Sequence, residues 1–180
     1  MAIADIVRRA IKSPSLSWSS WDDKAENVKR WRENRQRAKR FRDDLPDLSI
    51  GLHEFSNSLE KMAEISAVRG VRIMFVAQPV LWHEGLSEDL QKWLWFGGVG
   101  ADFKNHKDAE YYSVSALAQA ALQYKNEWRR TCQYLKLDCF DLDVQLPKDL
   151  SVFYDDVHFN ESGARKVAEI LSEQVGSLLK

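Results

Sequence analysis

Apolar positions along the chain recur at helical spacing in five stretches and run together in two short ones. Ile3, Ile6, Val7, Ala10 and Ile11 define a first helix, which Ser13-Pro14 ends. Residues 14–20 read as a Ser-rich linker containing Trp18. A second helix is expected from Ser20, as its N-cap, through Val28, Trp31, Ala38 and Phe41 towards Asp44, ahead of Pro46. Asp22 and Asp23 suit the positive end of its dipole. In a third helix, Phe55, Leu59, Met62 and Ser66 share one face, and Gly70 stands where a C-terminal cap belongs. Val71 to Val76 is rich in β-branched and aromatic residues and precedes Pro79, so it reads as a buried strand. Residues 83–112 lack a period. A short helix is expected at Ser87, and Gly97, Gly98 and Gly100 then break the chain, as in a long loop over a site or a lid. From Ser113 a long helix places Leu117, Ala121, Tyr124, Trp128, Cys132 and Leu135 on one face. Cys139 to Leu142 reads as a second strand, and Pro147 to Tyr154 as a loop. A last helix from Asn160 carries Val167, Ala168, Leu171, Val175 and Leu178.

Helix, strand, helix, strand, helix is the order of an α/β protein with a parallel sheet. Two strands are fewer than the five or so of a typical sheet. The chain divides into an N-terminal helical segment, 1–49, with the basic helix, and an α/β segment, 50–180.

Composition narrows the function classes. Hydrophobic residues make up 44%, enough for a packed core in a chain of 180 residues. The net charge of −1 gives no global pull towards nucleic acid, although residues 24–42 hold nine Lys or Arg against two Glu. That stretch reads as a solvated amphipathic helix. Cys132 and Cys139 make no disulfide framework or metal pattern and read as reduced, partly buried thiols. His53, His83 and His106 lack metal-ligand spacing, and neither a metal nor an organic cofactor is expected. No apolar run is long enough for a transmembrane segment. Asp5, Arg8 and Arg9 interrupt what would be the core of a signal peptide, so the chain as it stands reads as cytoplasmic.

The chemistry lies in Phe153-Tyr154-Asp155-Asp156-Val157-His158-Phe159-Asn160-Glu161-Ser162-Gly163. A His in a loop before a helix can face the cleft at the carboxyl ends of parallel strands. An Asp three residues earlier can fold back to accept its Nδ1–H, which leaves Nε2 free to act as a base. Asp155 has that spacing from His158, whereas Asp156 reads as solvent-facing or as a loop cap. The stretch resembles the last block, D-x-x-H, of the SGNH (GDSL-type) serine hydrolases. Arg69-Gly70, the strand to Val76, Gln78-Pro79 and the strand from Cys139 resemble the segments before it, so the likeness covers about residues 50–178.

That resemblance implies a flavodoxin-like three-layer sheet and an esterase, lipase or carbohydrate O-acyl hydrolase with a Ser-His-Asp triad. His158 would be the general base and Asp155 its orienting acid. The substrate would be a small-molecule or carbohydrate ester. Trp82, Trp93, Trp95 and Phe96 are candidates to line an acyl or sugar pocket. The chain departs from the family in lacking Gly-Asp-Ser, Gly-x-Asn-Asp and a Gly-x-Ser-x-Gly elbow, so no nucleophile is assigned. The expectation is the C-terminal part of such a domain, with its first strands missing and little or no activity alone. The alternative is a non-catalytic, helix-rich module that associates through its N-terminal helices or open sheet edges.

Overall fold

The computed structural model describes residues 19–100, 103–106 and 108–178. The expected first helix and most of the Ser-rich linker lie outside them. Helix α1 spans Ser19–Arg37. It is followed by β1 (Phe41–Arg42), α2 (Ser49–Val68), β2 (Met74–Val76) and the short α3 (Glu88–Gln91). Then come β3 (Tyr111–Tyr112), α4 (Val114–Leu135), β4 (Asp138–Phe140) and α5 (Glu161–Leu178). The result is a helix-rich α/β protein with two small parallel sheets, β1–β3 and β2–β4.

The β2–β4 pair organises the core. Its register sets Met74 opposite Asp138, Phe75 opposite Cys139 and Val76 opposite Phe140. Side chains alternate across a strand, so Phe75 and Ala77 join Leu59 of α2 and Trp128 of α4 in one cluster. Val76 and Phe140 face the other way, towards Leu81, Leu142, Val152 and Phe153, with Val167 and Ile170 of α5. Burying a side chain such as Leu81 completely contributes about 1.5–3 kcal/mol. The paired strand is shorter than Val71 to Val76 suggests: Val71 is 58% exposed, because β4 offers three partners and no more.

Caps place the helices largely as the sequence indicates. The Ser87 and Ser113 hydroxyls accept from the N–H of Leu90 and Ala116. Gly70 has φ +65°, the left-handed conformation that suits glycine at a helix end. In α2 the inward stripe is Phe55, Leu59 and Ala63, while Met62 is exposed.

Three expectations are corrected. Helix α1 stops at Arg37, short of Asp44, because Phe41 and Arg42 pair with Tyr111 and Tyr112 instead. Its fully buried residues are polar, Asn34 and Arg35, beside half-buried Val28 and Trp31. The cysteines are not free thiols; Cys132 and Cys139 form a disulfide. Left-handed Lys136 turns the end of α4 back into β4 and brings the two Cα atoms to 6.2 Å, within bridging range.

Candidate active site

The Asp155–His158 loop sits at the carboxyl end of β2. Gln78, two residues beyond that strand, donates from Nε2 to the Val157 carbonyl at 3.4 Å. The N–H of Leu81 donates to the Asp156 carbonyl at 2.9 Å. The loop closes on itself: Tyr154 N–H donates to His158 O, and Phe153 pairs with Phe159 in an antiparallel bridge. Behind it, the Asn160 carboxamide accepts from Gly163 N–H at 2.8 Å, which caps α5. A Cβ on Gly163 would stand 2.1 Å from the Val152 carbonyl oxygen, so only glycine lets α5 approach the loop this closely.

Asp155 is fully buried, and four N–H groups converge on its two oxygens. Oδ1 accepts from the N–H of Val157 at 2.9 Å and of His158 at 2.8 Å. Oδ2 accepts from the Trp95 indole at 3.0 Å and lies 2.9 Å from His158 Nδ1, which is also 3.1 Å from Oδ1. Burial pushes the carboxyl upward, but the bonds from Val157, His158 and Trp95 outweigh it and hold Asp155 below the usual carboxylate range. The His158 side chain is 63% exposed. Its buried edge meets Asp155, which leaves Nε2 on the open side as a proton acceptor. The structure therefore brings together the two residues singled out in the sequence.

Asp156 is not solvent-facing. It is fully buried, and its Oδ2 accepts from the N–H of Trp95 at 3.3 Å and of Phe96 at 2.9 Å, a loop cap across 60 residues of chain. Burial raises its carboxyl, and the like charge of Asp155 adds to the rise. From α1, Arg35 donates to the carbonyls of Phe96 and Tyr112, each at 2.9 Å. Burial lowers the Arg35 guanidinium to about 10, with Asp156 pushing the other way. Arg32 donates to Trp93 O at 3.1 Å and Tyr154 O at 2.5 Å, and its guanidinium lies against both rings. The basic stretch is thus more than a solvated face: two of its arginines tie α1 to the loops around His158.

The four aromatic residues separate. Trp82 and Phe96 stack at 5.6 Å and line an apolar groove of about 710 Å³ together with Phe55, Leu59, Phe75 and Trp128. Trp93 packs on Arg32, and Trp95 packs on Trp31 at 4.9 Å, so neither lines the groove. Among the described residues no serine hydroxyl is hydrogen-bonded to His158. No three His, Cys, Asp or Glu among them gather as a metal site. No helix among them is long and apolar enough to cross a membrane. No protein-family model, curated protein or solved structure matches the chain.

Sequence reasoning missed the parts of Trp95, Asp156 and Arg35. A hydrogen bond from residue 95 to residue 155 leaves no periodic trace. The one available signal was an indole in a loop with no helical or strand period, whose N–H needs a partner once buried.

Proposed function

We propose that Asp155 and His158 are the acid and base of an ester hydrolase of SGNH type working by a Ser-His-Asp mechanism. The observation that carries this reading is a buried, four-donor carboxylate bonded to one edge of an imidazole whose other edge is open. The β2–β4 pair, with helices on both faces, fits two neighbouring strands of a flavodoxin-like three-layer sheet. The nucleophilic serine is not assigned; no serine hydroxyl among the described residues is hydrogen-bonded to His158.

The chemistry follows from the geometry. Nε2 of His158 takes the serine proton as the oxygen attacks an ester or O-acyl carbonyl. The imidazolium formed is stabilised by Asp155, which stays ionised, and the proton passes to the departing alcohol. Water deprotonated by the same Nε2 then releases the acid from the acyl-enzyme. Fluorophosphonate labelling of the native gene product, with the labelled peptide identified by mass spectrometry, tests this reading. One serine should be labelled, and His158→Ala should slow labelling by roughly four orders of magnitude or more. Absence of labelling, or labelling indifferent to His158→Ala, sinks the reading.

One observation favours a second reading, a non-catalytic association module. Ile50, Ile65, Val68 and Val71 are 72%, 47%, 82% and 58% exposed along α2 and the segment after it. Sedimentation velocity decides here: a sharp monomer over a wide concentration range removes it.

A further inference from the structure

Asp155 is fixed at two places, and the second is not its own loop. Oδ1 accepts from the N–H groups of Val157 and His158, both within its own loop. The Trp95 indole N–H, 3.0 Å from Oδ2, is the remaining donor besides the imidazole itself. His158 Nδ1 lies 2.9 Å from Oδ2 and 3.1 Å from Oδ1, so the indole donates to the oxygen nearer the ring. We infer that Trp95 is the positioning residue of the acid–base pair, its indole N–H holding Oδ2, the oxygen nearer the ring, in place and ionised against His158.

Trp95 is itself held in place from several sides. It is 6% exposed and lies against Trp31 of α1, with the Lys104 ammonium 4.6 Å and 4.9 Å from the two rings. Asp156 holds the backbone N–H groups of residues 95 and 96, and Arg35 holds the Phe96 carbonyl. The path runs from α1 through Arg35, the 95–96 backbone and the indole to Asp155. Asp156 grips the same backbone from the neighbouring position in the His loop. Adjacent aspartates divide the work: one faces the imidazole, and the other secures the segment that orients the first. The inference rests on the reading of Asp155 and His158 as an acid–base pair.

The test replaces Trp95 with 3-benzothienylalanine, which keeps the shape of the ring and removes the donor. The readout is solvent exchange of the His158 Nδ1 proton by NMR, at low temperature and at a pH where the ring is neutral. Loss of a hydrogen bond to a charged group should speed that exchange by about tenfold. Where His158-dependent ester hydrolysis is measurable, kcat should fall by a similar factor at unchanged KM. An exchange rate that does not move overturns the inference. In the unsubstituted protein the Trp95 Nε1 proton should exchange slowly, and Asp155→Asn should abolish that protection. An indole proton exchanging like an exposed one also overturns it, whether or not the variant folds. Fluorophosphonate inertness together with the expected exchange behaviour would refute the hydrolase reading and leave the part of Trp95 standing. Labelling with unchanged exchange would do the reverse.

Discussion

Asp155→Asn is the substitution that most directly probes the site, because it preserves shape and changes only donors and acceptors. Four N–H groups point at the two oxygens of this buried carboxylate. An asparagine can present an oxygen to one pair only. Keeping its oxygen on Val157 and His158 N–H turns its amide nitrogen towards the Trp95 indole and the imidazole. The indole N–H then faces another donor while buried, at a cost of about 1–3 kcal/mol. A charge-assisted bond is also lost, so the expected total is about 2–4 kcal/mol. For a domain of this size that lowers the unfolding midpoint by roughly 5–15 °C. The imidazole must invert as well: Nδ1 now accepts from the amide, so the ring proton moves to Nε2, where the base should be. Any His158-dependent hydrolysis should drop by about four orders of magnitude. Urea unfolding gives the first quantity, and nitrogen chemical shifts of the His158 ring give the second. A stability loss below about 1 kcal/mol with the Nδ1–H tautomer retained would show that Asp155 does not hold the ring.

Other expectations follow from the same contacts. Arg35→Met removes two carbonyl partners and the charge opposing Asp156, and should cost about 2–4 kcal/mol by urea unfolding. Asp156 already sits above its ordinary value; a raised acid stabilises the fold at low pH, and that contribution is lost as pH climbs through its folded value, so the variant should lose more at about pH 8 than at about pH 5. Asp155 behaves oppositely, since its depressed value adds stability above the ordinary carboxylate range that disappears on acidification; Asp155→Asn should therefore flatten the acid limb of the stability profile. Reducing the Cys132–Cys139 bond, whose ends are 7 residues apart, should cost about 2–3 kcal/mol by loop closure alone, and two alkylatable thiols before any reductant would contradict the bond. Gly163→Ala should cost about 1–3 kcal/mol or more in thermal unfolding, because backbone rather than a yielding side chain blocks the new methyl group.

What the sequence revealed and what it hid divide along the range of the interactions. The α4 stripe, the Ser87 and Ser113 caps and the Asp155–His158 spacing depend on residues a few positions apart, and local pattern carries them. The early stop of α1 depends on Tyr111 and Tyr112, about 70 residues away, and nothing near Arg37 announces it. The disulfide was hidden for a subtler reason. Its cysteines are close in sequence but lie on different elements, and only the reversal at Lys136 faces them together. Asp156 was half legible: two residues before His158 it has the wrong spacing to serve the imidazole and reads as solvent-facing or as a loop cap, and the structure makes it a buried cap. Its partners are the backbone N–H groups of Trp95 and Phe96, which no side-chain pattern encodes.

The D-x-x-H spacing therefore explains half of the site. It accounts for Asp155 reaching back to Nδ1 and for the two loop N–H groups on Oδ1. It does not account for a carboxylate that is completely buried and still held below its ordinary value. Burial alone would push Asp155 towards the neutral form, and a neutral Asp155 could not stabilise an imidazolium. The bond that completes the set of donors comes from Trp95, on a segment secured by α1 and Asp156. Loosening the Arg35 and Asp156 anchors should thus show at His158 before it shows in the core, because those hydrogen bonds and the Trp31 contact lie outside both apolar clusters, while Leu94 and Trp82 keep the segment on one of them.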